Sequence, residues 1–137
     1  MSKILTDWQQ ERFGEFEEAI HRKQMLFRNG KYRCVGKTYL LNELGFTLQA
    51  LGYKVLVYTP YKREYFAERF IYNSDNSRGI DRLKTVILFD EVEMYKDETQ
   101  ELIKLFKQLQ IPVVGFVRYE DEEPTQFKMK YECKWEF

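Results

Sequence analysis

Two short clusters in this sequence have side chains that suit one another chemically. The first is Gly36-Lys37-Thr38, which closes a basic run made of Gly30, Lys31, Tyr32, Arg33, Cys34 and Val35. A glycine lets the backbone approach an anion with no Cβ in the way. Backbone N–H groups from Val35 to Thr38 and on to Tyr39, at the start of a helix, would converge on a phosphate. Lys37 would set its ammonium between a β- and a γ-phosphate, and the Thr38 hydroxyl would ligate Mg²⁺. The second cluster is Asp90-Glu91, at the end of the apolar run Val86-Ile87-Leu88-Phe89. Asp90 would hold the hydrated Mg²⁺, and Glu91 would orient and deprotonate an attacking water. Glu93 is a further acid close by.

These groups work together only if the chain delivers both to one edge of a sheet. Trp8, Phe13, Phe16 and Ile20 form a stripe at helical spacing, which predicts a helix over 5–24 capped by Thr6 or Asp7. Residues 25–28 are apolar and predict a strand; 30–36 predict a loop. Leu40, Leu41, Leu44, Leu48 and Leu51 predict a helix over 37–50, stopped at Gly52. A strand over 54–59 ends at Pro60, a helix follows over 61–71, and 73–79 is polar loop. Residues 85–89 and 111–118 read as strands buried on both faces. Between them, 96–108 reads as a helix burying Leu102, Leu105, Phe106 and Leu109. Residues 127–137 alternate apolar and charged, as a half-exposed strand does.

Four strand–helix alternations predict an α/β fold: a mostly parallel sheet with helices on both faces. The last connection, 119–126, is about eight residues, too short for a parallel return of a dozen or more. The C-terminal strand is therefore expected to run antiparallel, at an edge. The 137 residues fit one domain, made of the 5–24 helix, a core over 25–118 and the strand over 127–137.

The first cluster resembles the Walker A motif of P-loop NTPases. It departs in one place: Lys31 stands where that motif has its first glycine, and Gly30 lies one residue early. A non-glycine there costs ~1–2 kcal/mol if it must take positive φ. The second cluster resembles the Walker B motif. The resemblance spans about 25–118 and looks like the core shared by helicases, helicase loaders and related ATPases of phage or mobile-element type. It implies a P-loop three-layer sandwich that binds ATP or another NTP with Mg²⁺ and hydrolyses it in DNA or RNA metabolism. It assigns Glu91, Lys37 and Arg118 to catalysis. Gly30, Arg33, Cys34, Val35, Gly36, Lys37, Thr38 and Tyr39 would bind nucleotide, and Thr38 and Asp90 the metal. Arg118 earns its place because the end of the last parallel strand often lies beside the γ-phosphate in this fold, where an arginine stabilises developing charge. Such a lidless site is commonly completed by a neighbour's arginine, which implies further copies of the chain or a partner protein; the likeness to helicases and their loaders implies nucleic acid or a nucleic-acid-processing protein as partners.

Two other functions fit the same residues. One is a nucleotide-binding regulatory or assembly module that hydrolyses poorly. The other is a nucleoside or nucleotide kinase, because thymidine kinases also carry an Asp-Glu pair after an apolar strand. Against the kinase stand the missing pair of Cys-containing zinc knuckles and the lack of room for a lasso. Charge does not decide: 22 basic and 22 acidic residues cancel. No apolar run approaches the ~20 residues that span a bilayer. With no charged-then-apolar leader and only Cys34 and Cys133, the chain is expected to be cytoplasmic with free thiols. The cations around Cys34 should favour its thiolate. Arg78 lies in the polar 73–79 loop, and His21 has no visible metal partners in the sequence.

Overall fold

The computed structural model describes residues 5–29, 36–60, 63–73, 80, 83–118 and 134–136. Its elements are α1 (Asp7–His21), β1 (Gln24–Asn29), α2 (Lys37–Ala50), β2 (Lys54–Tyr58), β3 (Thr85–Glu93), α3 (Asp97–Gln108), β4 (Val113–Arg118) and β5 (Lys134–Glu136). The sheet order is β2-β3-β4-β1-β5. The first four strands are mutually parallel, and β5 runs antiparallel to β1 at the edge. The expected antiparallel edge strand is thus present over Lys134–Glu136, while 127–133 and Phe137 lie outside the described residues.

Strand alternation divides the core into two layers. Leu26, Val55, Val57, Val86, Leu88, Val114 and Phe116 face α1 and α2, meeting Phe16, Ile20, Leu40, Leu41, Leu44 and Leu48. Their neighbours Met25, Phe27, Leu56, Ile87, Phe89, Val113 and Val117 face α3, meeting Ile103 and Phe106. Burial on both faces explains why these strands read as unbroken apolar runs.

The helix ends follow local chemistry. Thr6 caps α1: its Oγ1 accepts from Gln9 N at 3.3 Å while Gln9 Oε1 accepts from Thr6 N at 2.9 Å, a capping box. Helix α2 stops at Gly52, φ 98°, where Tyr53 N donates to Leu48 O and Gly52 N to Gln49 O, each at 3.0 Å. That is the Schellman closure, for which a positive φ favours glycine.

Three expectations are corrected. The helix expected over 61–71 is instead two single 3₁₀ turns, Arg63–Tyr65 and Glu68–Phe70, followed by a parallel bridge from Ile71 to Val57. This stretch is aromatic-rich, with a single alanine, and it buries Phe66 and Phe70 individually rather than along a helical stripe. On α3 Phe106 is buried and Leu102 and Leu109 pack against its cluster as expected, but Leu105 is 39% exposed, and Thr99 and Ile103 are buried as well. Finally, β3 continues past Phe89 to Glu93.

Candidate functional site

In β3, Val86 and Leu88 point toward α2, and Asp90 keeps that phase. Asp90 is fully buried, and its Oδ2 accepts from Thr38 Oγ1 at 2.8 Å. The two clusters, fifty-two positions apart, therefore meet through a side-chain hydrogen bond. Thr59, also buried, follows Tyr58, the Cα partner of Phe89, and so falls next to Asp90 in the β2–β3 register.

Beyond Asp90 the strand breaks step. Phe89 pairs with Gly115 but Val92 pairs with Val117, so β3 carries one residue more than β4 across this stretch. The extra residue is accommodated at Glu91, whose φ is 53°. This bulge lets Val92 return to the α3 layer and leaves Glu91 half-buried at the turn of phase. The bulge sits over Gly115, where φ is 151° and a Cβ would come within 2.0 Å of Phe89 O.

At the start of α2, Gly36 is the N-cap in a left-handed conformation with φ 101° and ψ 10°, and it supplies no side-chain cap. Its carbonyl accepts from Leu40 N at 2.9 Å and from Gln9 Nε2 at 3.1 Å. Lys37 is 8% exposed, with its ammonium 5.9 Å from the centroid of the Phe116 ring. Trp8 stacks on that same ring at 5.9 Å. Tyr39 is half-buried one turn along.

Arg118 ends β4, the strand that lies between β1 and β3. It is exposed, its Cα partner is Glu93, and its carbonyl accepts from Met94 N at 2.9 Å. Glu93 is engaged locally, by Lys96 at 3.1 Å and by the Tyr95 hydroxyl. Gly30, Arg33, Cys34 and Val35, with Arg78, lie outside the described residues. His21 Nδ1 is 3.2 Å from the Tyr53 hydroxyl, on the far end of α1.

A hydroxyl and a carboxylate 2.8 Å apart are hard oxygen donors. They fit Mg²⁺, which typically takes one or two carboxylates together with substrate phosphates rather than an all-protein cage. Among the described residues no group of three or more His, Cys, Asp or Glu comes together as such a cage.

A second polar link flanks the site from the other layer. The Tyr58 hydroxyl donates to Glu98 Oε1 at 2.9 Å, and its ring packs on Phe89 at 5.6 Å. Burial, then the hydrogen bond and charge of Glu98, and then Tyr72, push the Tyr58 phenol up to about 12.

Sequence reasoning missed Gln9, Phe116, Gly115 and Thr59. The Thr6-x-x-Gln9 spacing carries a capping-box signal, but the reach of Gln9 to Gly36 is a long-range contact with no local signature. The chain matches no family model, no curated protein and no solved structure. No helix among the described residues is long and apolar enough to cross a membrane.

Proposed function

We propose that this chain binds a nucleoside triphosphate, ATP in the first instance, together with Mg²⁺ at the carboxyl edge of its sheet, and hydrolyses it. The observation that carries this reading is the 2.8 Å bond between the Thr38 hydroxyl and the buried Asp90 carboxylate. A helix-start threonine and a buried aspartate of β3, fifty-two positions apart in sequence, here present two hard oxygens side by side. They are the pair expected to share one hydrated cation. Under this reading the α/β sheet is a P-loop three-layer sandwich, and the insertion of β4 between β1 and β3 supports a role for Arg118 beside the γ-phosphate.

The residue roles follow from chemistry. Lys37 neutralises phosphate charge, and the N–H groups of the first α2 turn receive phosphate oxygens. Glu91 positions the attacking water and takes its proton. Thr38 and Asp90 would hold Mg²⁺, whose contribution is to neutralise charge between the β- and γ-oxygens. The reading extends to cytoplasmic work on DNA or RNA, in assemblies where a neighbouring copy or a partner completes the site.

The deciding experiment is titration of a fluorescent ATP analogue, with Mg²⁺, into the wild type and Lys37→Ala. Affinity should fall at least tenfold, or about 1.4 kcal/mol, in a variant that stays folded. Equal affinities would overturn the assignment. Phosphate release with and without single-stranded DNA then separates a hydrolase from a binding module, and nucleoside acceptors test for a kinase.

A further inference from the structure

Helix α1 precedes the nucleotide-binding elements in sequence, yet its first turn is built against them. Gln9 is 6% exposed and both ends of its amide are used. Oε1 accepts from Thr6 N at 2.9 Å, inside the capping box, and Nε2 donates to Gly36 O at 3.1 Å. One residue earlier, Trp8 stacks on Phe116, the ring beside the Lys37 ammonium.

The carbonyl that Gln9 holds belongs to the peptide plane joining Gly36 to Lys37. That plane is rigid, and in a trans peptide the C=O and the following N–H point in opposite directions. Fixing Gly36 O therefore fixes the direction of the Lys37 N–H, the first N–H of α2. The same carbonyl accepts the first intrahelical bond of α2, from Leu40 N at 2.9 Å, and the Gln9 amide adds a second, lateral hold on it. Gly36 is a left-handed glycine, so backbone rotation there is cheap, and α2 has no side-chain cap to hold its entry. The fit is close: a Cβ on Gly36 would lie 2.2 Å from Gln9 Nε2.

We infer that Gln9 is a positioning residue for the phosphate site, locking the Gly36–Lys37 peptide plane so that the Lys37 N–H is aimed before the nucleotide arrives. This rests on the nucleotide-binding reading above. Coupling between two sites is reciprocal, so nucleotide must also hold the first turn of α1 in place.

The test compares Gln9→Met, similar in length but without an amide, with Thr6→Ala. The threonine variant loses the Oγ1 cap of the same helix and leaves the Gln9 amide intact. Binding of the fluorescent ATP analogue with Mg²⁺ should weaken at least fivefold in Gln9→Met and change less than twofold in Thr6→Ala. Hydrogen exchange over residues 7–12 should slow on adding the analogue to the wild type, and not in Gln9→Met. If Gln9→Met fails to fold, Gln9→Glu serves instead, because it keeps the acceptor for Thr6 N and removes the donor to Gly36. Wild-type affinity in folded position-9 variants, with Lys37→Ala still impaired, overturns the positioning role alone. Equal weakening by Thr6→Ala overturns it too, because the effect is then helix stability. Absence of binding by the wild type overturns the nucleotide reading and the role of Gln9 with it.

Discussion

Gly115 and Phe89 are Cα partners on adjacent parallel strands, and a Cβ on Gly115 would stand 2.0 Å from Phe89 O and 2.7 Å from Phe89 N. Backbone cannot retreat as a side-chain end can, and the φ of 151° is one that only glycine adopts without strain. Gly115→Ala should therefore destabilise the fold by about 2 kcal/mol or more, because backbone strain adds to overpacking. Urea unfolding followed by circular dichroism measures this. A loss under about 0.5 kcal/mol, the scale of an ordinary surface change, would mean that β3 and β4 do not approach this closely.

The bulge above that glycine turns Asp90 and Glu91 out of phase, so under the proposed nucleotide reading their amides should fail differently. Glu91→Gln keeps size and hydrogen bonding but accepts no proton. It should still bind Mg-ATP while phosphate release drops ~10²–10⁴-fold. Asp90→Asn should instead lose Mg²⁺ dependence of binding, because an amide is a poorer partner for the hydrated cation. Wild-type turnover in Glu91→Gln removes Glu91 as the base. An undiminished Mg²⁺ response in Asp90→Asn removes Asp90 from the metal.

Alkaline behaviour should report on the Tyr58–Glu98 link. The phenol rises from 10.0 to about 12 on folding, so the folded state favours the protonated form. That contribution is complete below pH 10 and disappears as pH climbs through 12. With ten tyrosines in the chain, the signal must come by difference. Wild-type minus Tyr58→Phe tyrosinate absorbance should show a phenol ionising well above pH 10, and Glu98→Gln should bring it earlier without restoring it fully, because burial is the larger cause. Ionisation of Tyr58 at the ordinary tyrosine pH would contradict the contact.

Trp8 offers a direct optical reading of the site. It stacks on Phe116, beside the Lys37 ammonium. The chain has two tryptophans, so Trp135→Phe isolates it. Adding Mg-ATP should change its emission, and Lys37→Ala should shift the midpoint at least tenfold to higher nucleotide. No change at concentrations that bind the fluorescent analogue would separate Trp8 from the nucleotide.

What the sequence discloses here depends on how local the cause is. The bounds of α2 are legible because two glycines mark them, Gly36 at entry and Gly52 at exit. The four parallel strands are legible because burial on both faces keeps their central runs apolar, over 25–27, 55–57, 86–89 and 113–117. The 61–71 stretch misleads because Phe66, Phe70 and Ile71 imitate a helical stripe, while Ile71 forms a parallel bridge with Val57 of β2, a tertiary contact with no signal in the stretch itself. The extension of β3 is invisible for a similar reason: it depends on the missing Cβ of Gly115. At the candidate site, residue types and spacing single out Lys37, Thr38, Asp90 and Glu91, and of these the structure joins Thr38 to Asp90. Gln9 is hidden because its partner is a carbonyl, a group every residue carries.

The three-residue pairing of β5 with β1 also bears on the integrity of the whole molecule. Among the described residues, β1 has no partner on that side other than β5. Proteolytic clipping or a stop codon ahead of Lys134 would strip β1 of its cover and expose a row of main-chain donors and acceptors, ready to recruit a strand from another molecule. Such shortened chains should therefore be prone to aggregation.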